Sequence, residues 1–243
     1  MKGLVRWWQR ISARPMRWGW GLAPQGQAWS LVGLQRQSEL LAKVQTTQAL
    51  QPPTRDHGED LRWLSHALRQ IGAAQNGAGQ RLSMALPLTG LASGQIEFPA
   101  QLSEDEWQAE VQLEASQALG LEPDEVNFDF QPEPASGALV RRVQWVGCAK
   151  THIAEFKTCT RAAGWRLVTV EPELHAARRA AAALQGGLHS MLTQPTQDWQ
   201  FRLSTDPATT RTVAPTDAAL LQAMASPVGP CLVAAGLALK AWS

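Results

Sequence analysis

Long hydrophobic runs are missing from this chain: no stretch of about 18 apolar residues occurs, so no segment has the make-up of a membrane-spanning helix. The N-terminus has no apolar core flanked by a small-residue cleavage site, which argues against export. Cysteine is scarce. Cys148, Cys159 and Cys231 are odd in number and show no CxxC spacing, as expected of small buried hydrophobes in a reducing compartment. Charge is nearly balanced, with a formal net of +1, so the chain as a whole makes no electrostatic case for nucleic acid. Tyrosine is absent although tryptophan occurs 11 times, a bias with no evident physical cause. What is present, 44% hydrophobic and 18% charged residues in 243, is the make-up of a folded protein with one large core or two modest ones. A cytoplasmic location is expected.

Catalytic signatures are also lacking. No GxxxxGK[ST] phosphate loop is present, and Gly77 and Gly79 follow a helical stretch without a third glycine, which reads as a turn. Among His57, His66, His152, His175 and His189 no two stand at i, i+4, and none neighbours a cysteine at zinc spacing. LASG at 91–94 is not a GxSxG elbow. Glu104, Asp105 and Glu106 are carboxylates at a helix start, where the positive end of the helix dipole accounts for them. The spacing therefore predicts no catalytic residue, no metal site and no cofactor.

Periodicity divides the chain into recognisable elements. Residues 1–17 form a leader rich in arginine and tryptophan, with Lys2, Arg6, Arg10, Arg14 and Arg17 and no acid. Two readings stand for residues 1–20: a peripheral contact with an anionic membrane, and a plain basic lead-in to the first strand. Strand-like alternation follows around 20–22, 28–34 and 40–44, then an amphipathic helix over 58–73 with Leu61, Leu64, Ala67, Leu68 and Ile71 inward. Strands are expected over 81–87 and 95–99. Ser103 with Glu106 forms a capping box that opens a helix whose expected inner face is Trp107, Val111, Ala115 and Ala118, stopped by Gly120. Val126, Phe128 and Phe130 alternate with polar residues as a strand. A strand over 138–149, a helix over 151–163 and a strand over 165–170 complete a βαββαβ order across 95–170, the pattern of a small antiparallel sheet with helices on one face. An Ala-rich helix over 172–184, a strand over 199–203 and helices over 217–225 and 231–242 finish the chain. The fold class expected is mixed, α/β with an α+β module.

The stretch 82–131 also resembles a known family, that of the type IV pilus assembly protein PilM, related to the actin-like cell-division protein FtsA. The resemblance rests on a strand ending Leu86-Pro87, a second ending Phe98-Pro99, an acidic-start helix carrying Glu114-Ala115, and an Asn-x-Asp strand over 126–129. It continues through Val146 to Lys150, Ala162-Ala163-Gly164-Trp165, and Val168 to Glu171, where Thr169 stands in place of the family's Asp. VAAGLALK at 233–240 is similar to the family's closing helix. The likeness is continuous over about 81–184 and patchy elsewhere.

By this resemblance the fold is an actin-like (ribonuclease-H-like) first lobe, 18–94 and 171–189, with an inserted βαββαβ module at 95–170. Residues 190–243 would be a reduced second-lobe remnant and C-terminal helix. Two departures bear on function. The place of the family's first phosphate loop keeps Gly19 and Gly21 but has Leu22 near the expected acid and no lysine, and the second loop is absent between Leu184 and Pro227. The resemblance accordingly implies a cytoplasmic, non-catalytic scaffold at the inner face of the inner membrane, acting in pilus biogenesis, twitching motility and competence. Its implied partner is a PilN-like inner-membrane protein, held by its N-terminal peptide in a groove near Leu86, Pro87, Leu88, Ile96, Phe98, Trp107, Val111 and Glu114. Contact with the pilus motor ATPases is a further implication. The alternatives are an actin-like protein that still binds ATP and a βαββαβ module whose Phe128, Phe130 and Trp145 stack on RNA, the latter disfavoured by the surrounding acids.

Overall fold

The structure is a computed structural model and describes residues 17–53, 61–74, 80–99, 101–133, 140–203 and 216–242. The expected leader (Arg17 apart), the start of the helix expected over 58–73, residues 75–79, residues 134–139 with the start of the strand expected over 138–149, and the Thr/Pro-rich stretch 205–215 fall outside them. The chain divides into two compact units, 1–85 with 160–243 and 86–159.

The first unit is built on a six-stranded sheet. β1 (Trp18–Gln25), β2 (Ala28–Ser38) and β3 (Leu41–Leu50) form an antiparallel meander. α1 (Arg62–Ala74) then leads to β4 (Arg81–Leu86), which runs parallel to β1 with Trp20 opposite Leu82. The strand order is β8-β4-β1-β2-β3-β9, with β8 (Arg166–Pro172) and β9 (Gln200–Arg202) at the edges.

Period-two alternation gives β1 two unlike faces. Gly19, Gly21 and Ala23 point to one side, and Ala23 joins a large apolar cluster there. That cluster is supplied by α4 (Glu173–Ala183), α6 (Asp217–Met224) and α7 (Gly229–Leu239), together with Trp199, Phe201 and Leu203 around β9. Trp20 points to the other side, where its ring meets Trp165 edge-on with centroids 5.4 Å apart. The Trp165 indole N–H donates to the carbonyl of Leu68 at 2.9 Å, tying α1 to that side with Leu64, Leu68 and Ile71 buried. The described residues after 190, expected as a remnant outside the first lobe, thus pack into the first unit. α7 is buried on nearly every side, and a helix apolar all round has nowhere else to go.

In the second unit β5 (Ala92–Pro99), β6 (Val126–Pro132) and β7 (Val140–Ala149) form a three-stranded antiparallel sheet, ordered β5-β7-β6. α2 (Glu104–Leu119) covers one face of it, and the expected capping box is present. Ser103 Oγ accepts from the Glu106 N–H, while the Ser103 N–H donates to Glu106 Oε2 at 2.8 Å. That bond and the Ser103 hydroxyl hold the Glu106 carboxyl below the usual carboxylate range. Gly120, at φ 65°, stops the helix. Ala118 departs from expectation: it is exposed, and Leu119 continues the buried stripe of Trp107, Val111 and Ala115 because it falls at the next i+4 step.

The fourth strand expected for this module lies elsewhere. β8 joins the six-stranded sheet beside β4, where the Arg166 N–H donates to the Gln80 carbonyl at 2.8 Å. Alternation marks a strand but not its neighbour, and here the buried Trp165 anchors the start of β8 to α1. The compact module is correspondingly 86–159 rather than 95–170, and α3 (Lys150–Ala162) runs across its boundary. α5 (Gly187–Thr193), too short to show a period, was not expected from the sequence. Among the described residues no single helix is long and apolar enough to cross a membrane. Asp217–Met224 and Gly229–Trp242 pass such a test only as a pair, and they are bent by 111°.

Candidate partner-binding surface

The residues that the sequence brought forward sit at very different depths. Phe98, Trp107 and Val111 are core. Phe98 and Trp107 stack at 5.9 Å with planes 17° apart, Val111 is fully buried, and the Arg141 guanidinium lies 5.7 Å from the Trp107 ring centroid. This arrangement follows from register, since Phe98 pairs with Arg141 across the ladder and both side chains therefore share the face under α2. Ile96 is half-buried against the same cluster. Leu86 is buried at the end of β4, and Pro87 is half-buried. Leu88 and Glu114 are exposed, Leu88 at 49% on a single 3-10 turn, Leu88–Gly90, just before β5.

The opposite face of the small sheet is polar. Arg142 donates to Glu97 across the strands at 2.9 Å, and Gln144 donates to Glu133 at 2.8 Å. Both outer strands present an edge, and the two differ. On β6 the Phe130 N–H is taken by the Asp129 carboxylate at 2.9 Å and the strand ends in Pro132, two devices that blunt an edge. On β5, Ser93, Gly94, Gln95 and Glu97 are exposed, and among the described residues pairing occurs only on the β7 side. An edge strand offers alternate N–H and C=O groups to an extended peptide. In this unit, the β5 edge is the surface best suited to such a guest, and the exposed Leu88 stands four residues before that strand.

Gly19 and Gly21, the glycines that resemble a phosphate loop, have another use. Both lie within β1, paired to β2, and a Cβ on Gly21 would overlap the Ala234 carbonyl oxygen of α7 and come within 2.7 Å of the Ala238 nitrogen. A Cβ on Gly19 would overlap the Ala238 carbonyl oxygen in the same way. The two glycines therefore let α7 lie directly on the sheet. The β1–β2 ladder stays paired to Gln25–Ala28 and closes through Gly26 and Gln27, with Gly26 at φ 62°. A two-residue hairpin turn leaves no run of unpaired N–H groups to cradle a phosphate. The residues present do not fit a nucleotide at that place.

The remaining chemistry is sparse. Among the described residues no cluster of His, Cys, Asp or Glu has the make-up of a metal site. Burial pushes the Cys159 thiol up to about 12 and raises Cys148 and Cys231, so the thiolate needed of a nucleophile is suppressed at each. A shallow depression of about 390 Å³ in the first unit is lined by Gln185, Gln194, Asp198 and Gln200, with no nucleophile or base pair among them.

A family model described as type IV pilus assembly protein PilM matches residues 43–196. No curated protein matches the sequence. Among solved structures the chain is similar to one described as the PilM-PilN type IV pilus biogenesis complex, at 16% identity and a TM-score of 0.54, covering 70% of this chain and 54% of that one. It is also similar to the cytoplasmic domain of EpsL, an inner-membrane component of the type II secretion system of Vibrio cholerae. There the values are 12% identity and a TM-score of 0.49, with 65% and 58% of the two chains covered. The chain thus spans about half the length of the first of these.

Proposed function

The chain belongs to the type IV pilus assembly protein PilM family, and on that premise we propose that it acts as a non-catalytic adaptor gripping the N-terminal cytoplasmic peptide of a PilN-like inner-membrane protein. The observation that carries this reading is the β5 edge, open among the described residues, with the exposed Leu88 in the turn that leads into it. Main-chain hydrogen bonds along the edge supply affinity, and an apolar side chain of the guest covering Leu88 supplies selectivity. Such a partner places the adaptor at the inner face of the inner membrane, within reach of the pilus motor ATPases. The basic, Trp-bearing leader, residues 1–17, then contacts anionic lipid, while Trp18 and Trp20 belong to β1.

Titrating the full chain with the partner's N-terminal peptide tests the proposal. Saturable binding is expected between micromolar and millimolar concentration, and Leu88→Asp is expected to weaken it at least about 10-fold with the urea midpoint unchanged, since Leu88 is on the surface. A flat titration across that range defeats the reading.

The absence of catalysis is supported by the two-residue β1–β2 turn and by α7 seated on Gly19 and Gly21. Calorimetry with ATP and magnesium is expected to show no binding heat, and peptide affinity is expected to be the same with and without ATP. Saturable heat would restore the alternative, an actin-like nucleotide-binding protein.

A further inference from the structure

The net charge of +1 conceals a separation. Residues 86–159 hold twelve acids and four bases, whereas the rest of the chain holds nine acids and eighteen bases. Within the first unit the surplus has a definite place. β1, β4 and β8 begin at one end of the six-stranded sheet, β2 and β9 finish there, and an arginine stands at that end of each. Arg17 precedes β1, and its carbonyl accepts from the Arg36 N–H of β2 at 3.0 Å. Arg81 opens β4 one residue before the Leu82 that pairs with Trp20. Arg166 opens β8 and donates its N–H to Gln80. Arg202 closes β9 opposite Leu41, the first residue of β3. Strand spacing makes this row roughly 24 Å long.

Among the described residues little at that end offsets the charge of Arg17, Arg166 and Arg202. Arg178 is held by Asp217 at 2.8 Å, and Arg179 binds Glu171 at 2.8 Å, near the far end of β8. Asp198 lies 4.0 Å from Lys43, two residues into β3. Of the described acids in this unit only Glu39 lies at the end in question, in the β2–β3 turn, where its carbonyl and that of Ser38 accept from Arg36. Beside it is Leu40, 62% exposed, whose carbonyl accepts from the Leu203 N–H.

We propose that this arginine rim, with Leu40 at its side, is a docking surface for an anionic lipid bilayer. The proposal rests on the reading that the chain works at the membrane, and it moves the main contact from the leader to the folded unit. The guanidiniums of Arg17, Arg36, Arg166 and Arg202 meet a flat anionic surface together, each contributing about 1 kcal/mol near the lipid, or roughly fivefold in partition. An exposed leucine among them inserts into the headgroup boundary. Single-stranded nucleic acid, the competing polyanion, is gripped by stacking on exposed aromatics. Among the described residues the exposed large hydrophobics are all aliphatic. The leader, with its arginines and Trp7 and Trp8, joins the fold at Arg17, on the rim itself.

Co-sedimentation of the full chain with vesicles of one-third phosphatidylglycerol in phosphatidylcholine tests this. Binding is expected to these vesicles, not to phosphatidylcholine alone, and to weaken as salt is raised. Arg17→Gln/Arg166→Gln/Arg202→Gln is expected to lower the partition about 100-fold. Leu40→Asp is expected to lower it without affecting weak binding to a 20-nucleotide RNA. Urea midpoints and affinity for the partner peptide, measured alongside, report that each variant is folded. If the triple variant proves unstable, Arg17→Gln/Arg166→Gln replaces it, with about a 25-fold loss expected. Vesicle binding lost on Arg6→Gln/Arg10→Gln/Arg14→Gln but untouched by the rim variants would overturn the rim and leave the leader contact standing. No binding to anionic vesicles at low salt, or tighter binding to the RNA than to the vesicles, would overturn it outright.

Discussion

Gly21→Val is expected to lower the unfolding free energy by about 3 kcal/mol or more, at the top of the usual range for overpacked cores. The added side chain would run into backbone. A Cβ at Gly21 overlaps the Ala234 carbonyl oxygen and comes within 2.7 Å of both the Ala238 nitrogen and the Leu237 Cβ. α7 cannot retreat easily, because on its other flank a Cβ at Gly236 would already overlap the Ala176 carbonyl of α4. The helix is wedged between β1 and α4 with glycines at both contacts, so a shift that relieves one tightens the other. Gly26→Ala is the matched control. Its φ of 62° is unfavourable for a side chain, but no atom lies within 4 Å, so about 1 kcal/mol is expected. Urea midpoints of the two variants settle the comparison. Were Gly21 kept for phosphate binding rather than packing, Gly21→Val would unfold at the wild-type midpoint.

The same pair of glycines shows where sequence reading reaches its limit. Gly19 and Gly21 keep two glycines of a phosphate loop, yet what forbids a side chain there is a helix from the far end of the chain. Local signals carried over well. Ser103 and Glu106 are three residues apart and meet as a capping box, and the alternation of Val126, Phe128 and Phe130 became β6, because those interactions are set by neighbours in sequence. Where a strand must choose a partner, the sequence was silent. The reading of 165–170 as a strand held, but its place beside β4 depends on Trp165 reaching the Leu68 carbonyl. The arginine rim was illegible for the same reason. Arg17, Arg36, Arg81, Arg166 and Arg202 are scattered along the chain, and only the strand order puts them at one end of a sheet. On the β5 surface, Leu88 and Ile96 were in view from the sequence. Apolar character alone could not separate them from Phe98 and Val111, which the fold spends on its core.

Trp107→Ala is expected to cost about 3–5 kcal/mol, the usual range for emptying a buried tryptophan site. It falls on a unit with little to spare. Beyond Trp107, the fully buried part of that core is Phe98, Val111, Ala115, Val126, Val143 and Trp145. Removing the indole leaves Phe98 without its stacking partner and Arg141 without the ring it lies over. The cluster is small and closed by α2 alone, so the expected result is local: amides of α2, β5, β6 and β7 lose protection from hydrogen exchange while those of β1 and β2 keep theirs. Trp107→Phe is the informative partner. It keeps an aromatic face against Phe98 and removes an indole N–H that is buried with no acceptor among the described residues, so its stability should stay within about 1 kcal/mol of the original. Measured with the peptide titration, the two variants separate packing from recognition. A tryptophan that acts as core loses peptide binding only with protection, in Trp107→Ala and not in Trp107→Phe. If Trp107→Ala lost the peptide while every amide stayed protected, Trp107 would belong to the binding surface and not to the core beneath it.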